Sequence, residues 1–233
     1  MPQSNRTIAQ AEHPTVPRGL ESPELRPFYR SLYIDAARPQ RLLAVWRPSI
    51  SPMEPIARFV PAGASALDIG CGSGGLLLLL AATGRIGHGI GCDVSETAIR
   101  AADAARKRLV APAIEFRRIN DLDDVPRGPF DAVLMIDVLH HIPRARQREA
   151  VLVAAERVAA GGVLIYKDMA ARPAWRRWAN TLHDLLLARQ LVSYVPIAEV
   201  EHWIGHEGFS VSHTESYSRY VYGHELRVFR RPP

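Results

Sequence analysis

Polar and apolar residues alternate along this chain with a period that changes several times, and the changes divide it. Between residues 65 and 167, short apolar runs alternate with longer amphipathic stretches. Residues 65–69, 86–92, 113–119, 130–136 and 163–166 (or 167) read as strands. The first and fourth are apolar throughout, as in strands with helices packed on both faces. Helices are expected at 74–83, 96–109 and 145–160. Ser95 is placed to cap the second, whose Ala98, Ala101, Ala102 and Ala105 form a small-residue face. Gly161-Gly162 is placed to stop the third. Residues 120–128 form a polar loop. The crossovers are long enough for right-handed parallel connections, so the segment predicts an α/β fold with a parallel sheet.

The two ends depart from this alternation. Residues 1–22 are polar and Pro-containing and read as a flexible arm. Residues 23–61 mix Pro, Arg and aromatics. They predict helical turns at 25–33, a short helix at 40–46 ended by Pro48, and a helix at 52–60, together a helical cap over the open end of the sheet. Residues 62–233 form the core, with a helix-rich insertion at about 170–195 that belongs to the cap. A helix is expected at 196–207. Residues 208–217 and 225–231 alternate like two antiparallel strands joined through 220–223.

Composition limits the function without deciding it. A chain of 233 residues can form one such domain with a short cap, and an apolar fraction of 47% is ordinary. No run of about 18 apolar residues occurs, so no membrane span is expected. Residues 1–18 lack the apolar core of a secretory signal, and a cytoplasmic location follows as the expectation. Cys71 and Cys92 fall at the ends of buried strands and read as packed free thiols, with no metal-ligand spacing. The net charge of +5 raises nucleic acid or an acidic carrier as partners. The arginines are scattered, however, and only Arg172, Arg176 and Arg177 cluster beside aromatics. No nucleic-acid module is present, and nucleic acid is not the expected partner.

The candidate chemistry lies in Ala66-Leu67-Asp68-Ile69-Gly70-Cys71-Gly72-Ser73-Gly74-Gly75. It reads as a buried strand, a glycine turn and a helix start, where a ligand can lie against the backbone and meet free N–H groups. The spacing Asp-x-Gly-x-Gly-x-Gly is not the Gly-x-Gly-x-x-Gly pyrophosphate fingerprint. Asp68 would repel a pyrophosphate but suits a ligand carrying an ammonium.

This motif resembles the cofactor loop of the class I S-adenosylmethionine-dependent methyltransferases, and the resemblance extends from about residue 55 to the end. It implies a Rossmann-like, seven-stranded, mostly parallel sheet with an antiparallel last strand, and S-adenosyl-L-methionine as cofactor. Asp93, after Gly91-Cys92, matches the acidic residue that accepts both ribose hydroxyls, with Val94 beside it. Asn120-Asp121-Leu122 matches the loop that meets the adenine, with Asp121 favoured by its spacing of five to Pro126. Residues 130–142 resemble the fourth-strand motif, in which Ile136 and Asp137 border the methionine part. Gly70, Cys71 and Gly72 complete the cofactor set. The Asx-Pro-Pro-aromatic tetrapeptide of many amino-methyltransferases is missing here. The form Leu139-His140-His141-Ile142 is similar to that of relatives that methylate small molecules.

The resemblance therefore implies a methyltransferase acting on a small organic acceptor, by O-methylation ahead of C-methylation, on an aromatic or polyketide-like compound of the kind made in secondary metabolism. An RNA or protein methyltransferase and a non-catalytic cofactor-binding subunit are the alternatives. A base is expected among His140, His141 and His183, the last beside Asp184 in the cap. Tyr29, Tyr33, Trp175, Trp178 and Tyr194, with Trp46, are candidates to wall the acceptor, and Lys167 to hold an anionic group on it. The arginine cluster beside Trp175 and Trp178 suits a bulky, aromatic or carrier-bound acceptor. No metal is expected: Asp137 and Asp168 lack a third ligand.

Overall fold

The computed structural model describes residues 14–17, 22–109, 113–169, 193–219 and 222–233. Seven strands form one sheet in the order β3-β2-β1-β4-β5-β7-β6. β1 (Ala64–Ile69) lies in parallel between β2 (Ile86–Asp93) and β4 (Phe130–Ile136). β3 (Ala113–Arg118) extends the sheet on one side and β5 (Val158–Met169) on the other, both parallel. β7 (Tyr222–Arg230) inserts antiparallel between β5 and β6 (Ser210–Arg219). Strand order reverses between β1 and β4, and a crevice opens at the carboxyl ends of strands where an order reverses.

The alternation of side chains divides the core into two layers. Ala66 and Leu134 face one cluster, which holds the N-terminal helices. Leu67 and Val133 face the other. α4 (Gly75–Ala82) is apolar all round because it is covered all round: Leu76 to Leu80 are buried. α1 (Ser22–Leu32) covers it through Leu25, Phe28, Tyr29 and Leu32, a spacing that places all four on one face. α2 (Arg38–Ile50) and α3 (Glu54–Ala57) then lead into β1, α5 (Glu96–Arg106) lies between β2 and β3, and α6 (Arg144–Glu156) and α7 (Ile197–His206) pack the opposite face.

Several boundaries differ from the sequence-based expectation. Pro48 does not end α2: it lies buried inside a helix that runs on to Ile50, and Ser51 N–H still donates to the Arg47 carbonyl at 2.8 Å. The helix expected at 52–60 is the single turn α3. α6 stops at Glu156, and Gly161-Gly162 falls within β5. There the register jumps between Phe130 and Ala132, a bulge for which Gly161 supplies a φ of +71°. The strand begins early because Val158 is buried and pairs with Phe130. The 120–128 loop contains a 3-10 turn, Leu122–Asp124, capped by Asp121.

The glycine turn entering α4 has positive φ at Gly70, Gly72 and Gly74. At Gly74 an added Cβ would lie 2.4 Å from the Phe116 ring, whereas at Gly72 nothing lies within 4 Å. Gly72→Ala should therefore cost only the left-handed backbone term, about 1–2 kcal/mol. Gly74→Ala should cost more in urea unfolding, because Phe116 must also move. Equal losses in the two variants would count against this packing.

Candidate functional site

The site lies at the carboxyl ends of β1, β2 and β4, under the end of α2. A groove of about 530 Å³ runs over the glycine turn, between Asp93 with Val94 on one side and Asn120 with Leu122 on the other. It reaches Asp137 and His141, and Gly70 and Gly72 form its floor. The Asp93 carboxylate joins the walls: Oδ2 accepts from Gly72 N at 2.8 Å and Oδ1 from Ser95 N at 2.8 Å. Ser95 caps α5 through Ala98 N, as expected from the sequence. Asp121 lies at the rim. Its carboxylate pairs with Arg146 at 2.7 Å, which lowers its pKa.

At the end of the groove near α2 is an enclosed pocket of about 40 Å³, lined by Asp68, Cys71, Tyr29, Ile136 and Arg47 among others. Burial pushes the Asp68 pKa up to about 7, with Arg47 opposing the shift and Asp93 adding to it. Burial likewise raises both thiols, Cys92 to about 12, so neither is a ready nucleophile.

Asp137 is the positive-φ non-glycine residue of the described chain, with φ 53°. Three partners hold it there. Lys167 Nζ donates at 2.7 and 2.8 Å to its two oxygens, Ser51 Oγ donates to Oδ2 at 2.9 Å, and Arg47 lies 3.7 Å away. Lys167 also donates to Ser51 at 2.7 Å. Burial alone would raise the Asp137 pKa, but Lys167 and Arg47 more than offset it, and the carboxyl stays well below its ordinary range. Burial draws Lys167 down, opposed by Asp137. The result is a buried ion pair.

A second cavity, of about 410 Å³, opens beside the groove under α2. Leu43, Trp46, Ile50, Ala98 and Met169 line it, with His140 and His141. The two spaces share Arg47, Ser95, Asp137 and His141. His140 is buried and its Nδ1 lies 2.5 Å from Asp168 Oδ1. The His140 backbone N–H donates to Oδ2 of the same carboxylate at 3.2 Å. A carboxylate only accepts, so Nδ1 carries the proton and Nε2 is the basic atom of the ring. The His141 ring lies against that of His140, centroids 4.1 Å apart and tilted by 45°.

A sequence profile described as a methyltransferase domain matches residues 41–214. The chain belongs to the class I S-adenosylmethionine-dependent methyltransferases. S-adenosylmethionine is the cofactor of that family. Solved structures with the same fold include magnesium protoporphyrin IX methyltransferase from Synechocystis PCC 6803 with bound S-adenosylhomocysteine, at 22% identity, TM-score 0.63, covering 87% of this chain and 92% of that one. The methyltransferase complexed with the Haloferax volcanii Trm112 activator is similar at 18% identity and TM-score 0.68, covering 88% and 98%. The [4+2]-cyclase SpnF is similar at 18% identity and TM-score 0.62, covering 77% and 79%. No curated protein matches the sequence.

The site of this methyltransferase brings together most of the residues picked out from the sequence. Gly70, Gly72, Asp93, Val94, Asn120, Asp121, Leu122 and Asp137 line the groove, and Asp68, Cys71 and Ile136 the enclosed pocket. Those residues fit the cofactor. Gly72 has open space where a Cβ would stand, and Val94, an apolar side chain 65% exposed, offers a face for a flat base.

Four expectations need correction. Tyr29 and Tyr33 do not wall the acceptor cavity. They are buried beneath the glycine turn, where Tyr29 OH donates to the Gly75 carbonyl at 3.1 Å and Tyr33 OH to that of Ser73 at 2.7 Å. Lys167 is fully buried on Asp137 and Ser51 and offers nothing to a substrate anion. Tyr194 lies against the ring of His140, 5.6 Å between centroids, and supports the histidine. Trp175, Trp178, His183 and the Arg172 cluster lie outside the described residues. Arg47 and Ser51 are the site residues that the sequence did not single out, and Ser51 depends on α2 continuing past Pro48; Asp168, weighed from the sequence as a metal ligand, holds His140.

Asp68 gives the site a pH dependence. The empty folded protein holds this carboxyl protonated up to about pH 7, whereas the unfolded chain ionises it near 3.8, so folding stability falls as pH rises between those values. A cofactor ammonium pairing with Asp68 would favour the ionised form. Cofactor affinity should therefore rise with pH through about 7, with a proton released, and fall again as an α-amino group deprotonates near 8. Calorimetry in buffers of different ionisation enthalpy reads both effects. Asp68→Asn should bind weakly and lose the rising limb; a wild-type affinity independent of pH would show that the ammonium is paired elsewhere.

Proposed function

We propose that this methyltransferase methylates a small organic acceptor, at oxygen rather than carbon, on an aromatic or polyketide-like compound seated in the cavity under α2. The observation that carries this reading is the shared wall. Arg47, Ser95, Asp137 and His141 border both the groove and a mainly apolar cavity of about 410 Å³, a size that suits a small molecule.

When bound, S-adenosylmethionine supplies a methyl group already activated on a sulfonium. The work left to the chain is to bind, to align the reactants, to exclude water and to move one proton. Asp93 takes the ribose hydroxyls while keeping Gly72 and Ser95. Val94 and Leu122 take the adenine faces, with Asn120 or Asp121 at its edge. Asp68 takes the ammonium, and Arg47, beside it in the enclosed pocket, takes the carboxylate. The chain would hold an acceptor hydroxyl beside the methionine end of the groove, and the hydroxyl proton would have to go to a base. His140 has the arrangement for that role: its Nδ1 is held by Asp168, which fixes the tautomer that leaves Nε2 as the accepting atom.

Two experiments test this reading. Asp93→Ala should weaken cofactor binding by about 2–3 kcal/mol, through loss of charge-assisted hydrogen bonds. An unchanged affinity would misplace the ribose. With an acceptor found by screening for tritiated methyl in product, His140→Ala should lower kcat by about 10²–10⁴. Asp168→Asn should lower kcat while cofactor affinity by calorimetry stays unchanged, whereas loss of a merely structural aspartate would lower both. Reading label in the product also separates methyl transfer from other chemistry on this fold, since one structural neighbour is named as a cyclase.

A further inference from the structure

The outer face of α2, with the turn that joins it to α1, carries apolar side chains that are exposed among the described residues. Ile34 is 50% exposed, Leu42 60%, Leu43 65% and Trp46 47%. Arg38, Leu42 and Trp46 follow one another at intervals of four and form a single stripe along α2, with Leu43 beside it. Such a patch is unusual on a soluble surface unless something covers it.

Two further observations say what covers it. The first is charge. Residues 22–50 contain five arginines against Glu24 and Asp35; Arg47 is turned to Asp137, which leaves Arg26, Arg30, Arg38 and Arg41 for the outer face. Asp35 is paired with Arg108. Arg26 lies with its guanidinium 4.1 Å over the Trp46 ring, and with Arg30, Ser31 and Ile34 it lines a shallow depression of about 430 Å³. Arginines with apolar and hydroxyl neighbours suit a phosphate headgroup beside acyl chains. The second is continuity: Leu43 and Trp46 belong both to the exposed stripe and to the lining of the cavity beside the groove.

We propose that the α1–α2 face seats the enzyme on an anionic lipid bilayer, with the mouth of the acceptor cavity turned to the lipid. An amphipathic helix lying in the interface, with apolar residues down and arginines reaching headgroups, needs no span. Among the described residues no helix is long and apolar enough to cross a membrane. The identity of the cavity as the acceptor site rests on the function proposed above, but attachment to lipid is read without turnover, so either can fail alone.

The test is sedimentation of the full-length protein with large vesicles of phosphatidylcholine, with and without phosphatidylglycerol. Binding should require phosphatidylglycerol and weaken with added salt. Ile34→Glu and Leu42→Glu, neither of which lines the groove or the cavity, should each reduce binding roughly tenfold or more, since both burial and charge are reversed. Cofactor affinity by calorimetry, unchanged in the same variants, shows that they fold. No sedimentation with either vesicle overturns the proposal, as does equal binding to neutral lipid. Loss of thermal stability in Leu42→Glu overturns it by assigning the face to the interior. A dimer that Leu42→Glu disperses overturns it by assigning the face to a second copy.

Discussion

The site depends on one buried ion pair. Lys167, at the end of β5, and Asp137, just past the end of β4, meet in the core with Ser51 as the third member. Burying two charges costs several kcal/mol for each, and only close geometry with every donor used offsets this. Here Lys167 donates to both oxygens of Asp137 and to Ser51. Ser51 follows α2, so the cluster fastens the N-terminal helices to the sheet. It also holds Asp137 at a φ that costs energy in a non-glycine residue. That turn sends the chain into Val138 and the two histidines. Removing any member would disturb the groove, the cavity and the helix above them together.

The fold was legible in the sequence where local pattern and tertiary need agree. The five parallel strands, the Ser95 cap and the antiparallel closing pair all lie where the periodicity put them, because burial on one or both faces decides the composition of each. The errors came where burial overrode a local signal. Pro48 reads as a stop, yet it is buried and α2 continues through it. Gly161-Gly162 reads as a helix end, yet Val158 is taken into the sheet before it and the glycines serve a bulge instead.

The groove was more legible than the cavity beside it for a physical reason. The groove is built from one strand-turn unit and the ends of its neighbours, so short stretches of sequence carry it. The cavity joins Trp46 of α2, Ala98 of α5 and Met169 of β5, and no local spacing marks such a meeting. Arg47 was missed on the same ground, since it matters through Asp137, far along the chain, and the role of Asp168 was misjudged because His140, its partner, is equally far. Tyr29 and Tyr33 show the converse. An aromatic near a site in sequence reads as a wall, but a buried hydroxyl needs an acceptor, and backbone carbonyls of the glycine turn are the acceptors at hand.

The charges of the site divide its work. Asp137 is saturated by Lys167, Ser51 and Arg47, and its carboxyl stays ionised far below neutrality, so it can anchor but cannot exchange a proton. Asp93 is committed to two backbone N–H groups, those of Gly72 in the floor of the groove and Ser95 at the start of α5. Asp68 differs from both: burial is not fully offset by Arg47, and its carboxyl titrates near 7. A cation arriving beside it supplies the charge that burial withholds, so part of the free energy of binding is electrostatic and is gained only with the cationic end of the ligand in place. In the proposed reaction, proton transfer from an acceptor falls to a separate pair, His140 with Asp168, which come from beyond β4 and from β5. On that proposal binding and chemistry draw on different residues, and Asp137, which borders both spaces, is held between them by its ion pair.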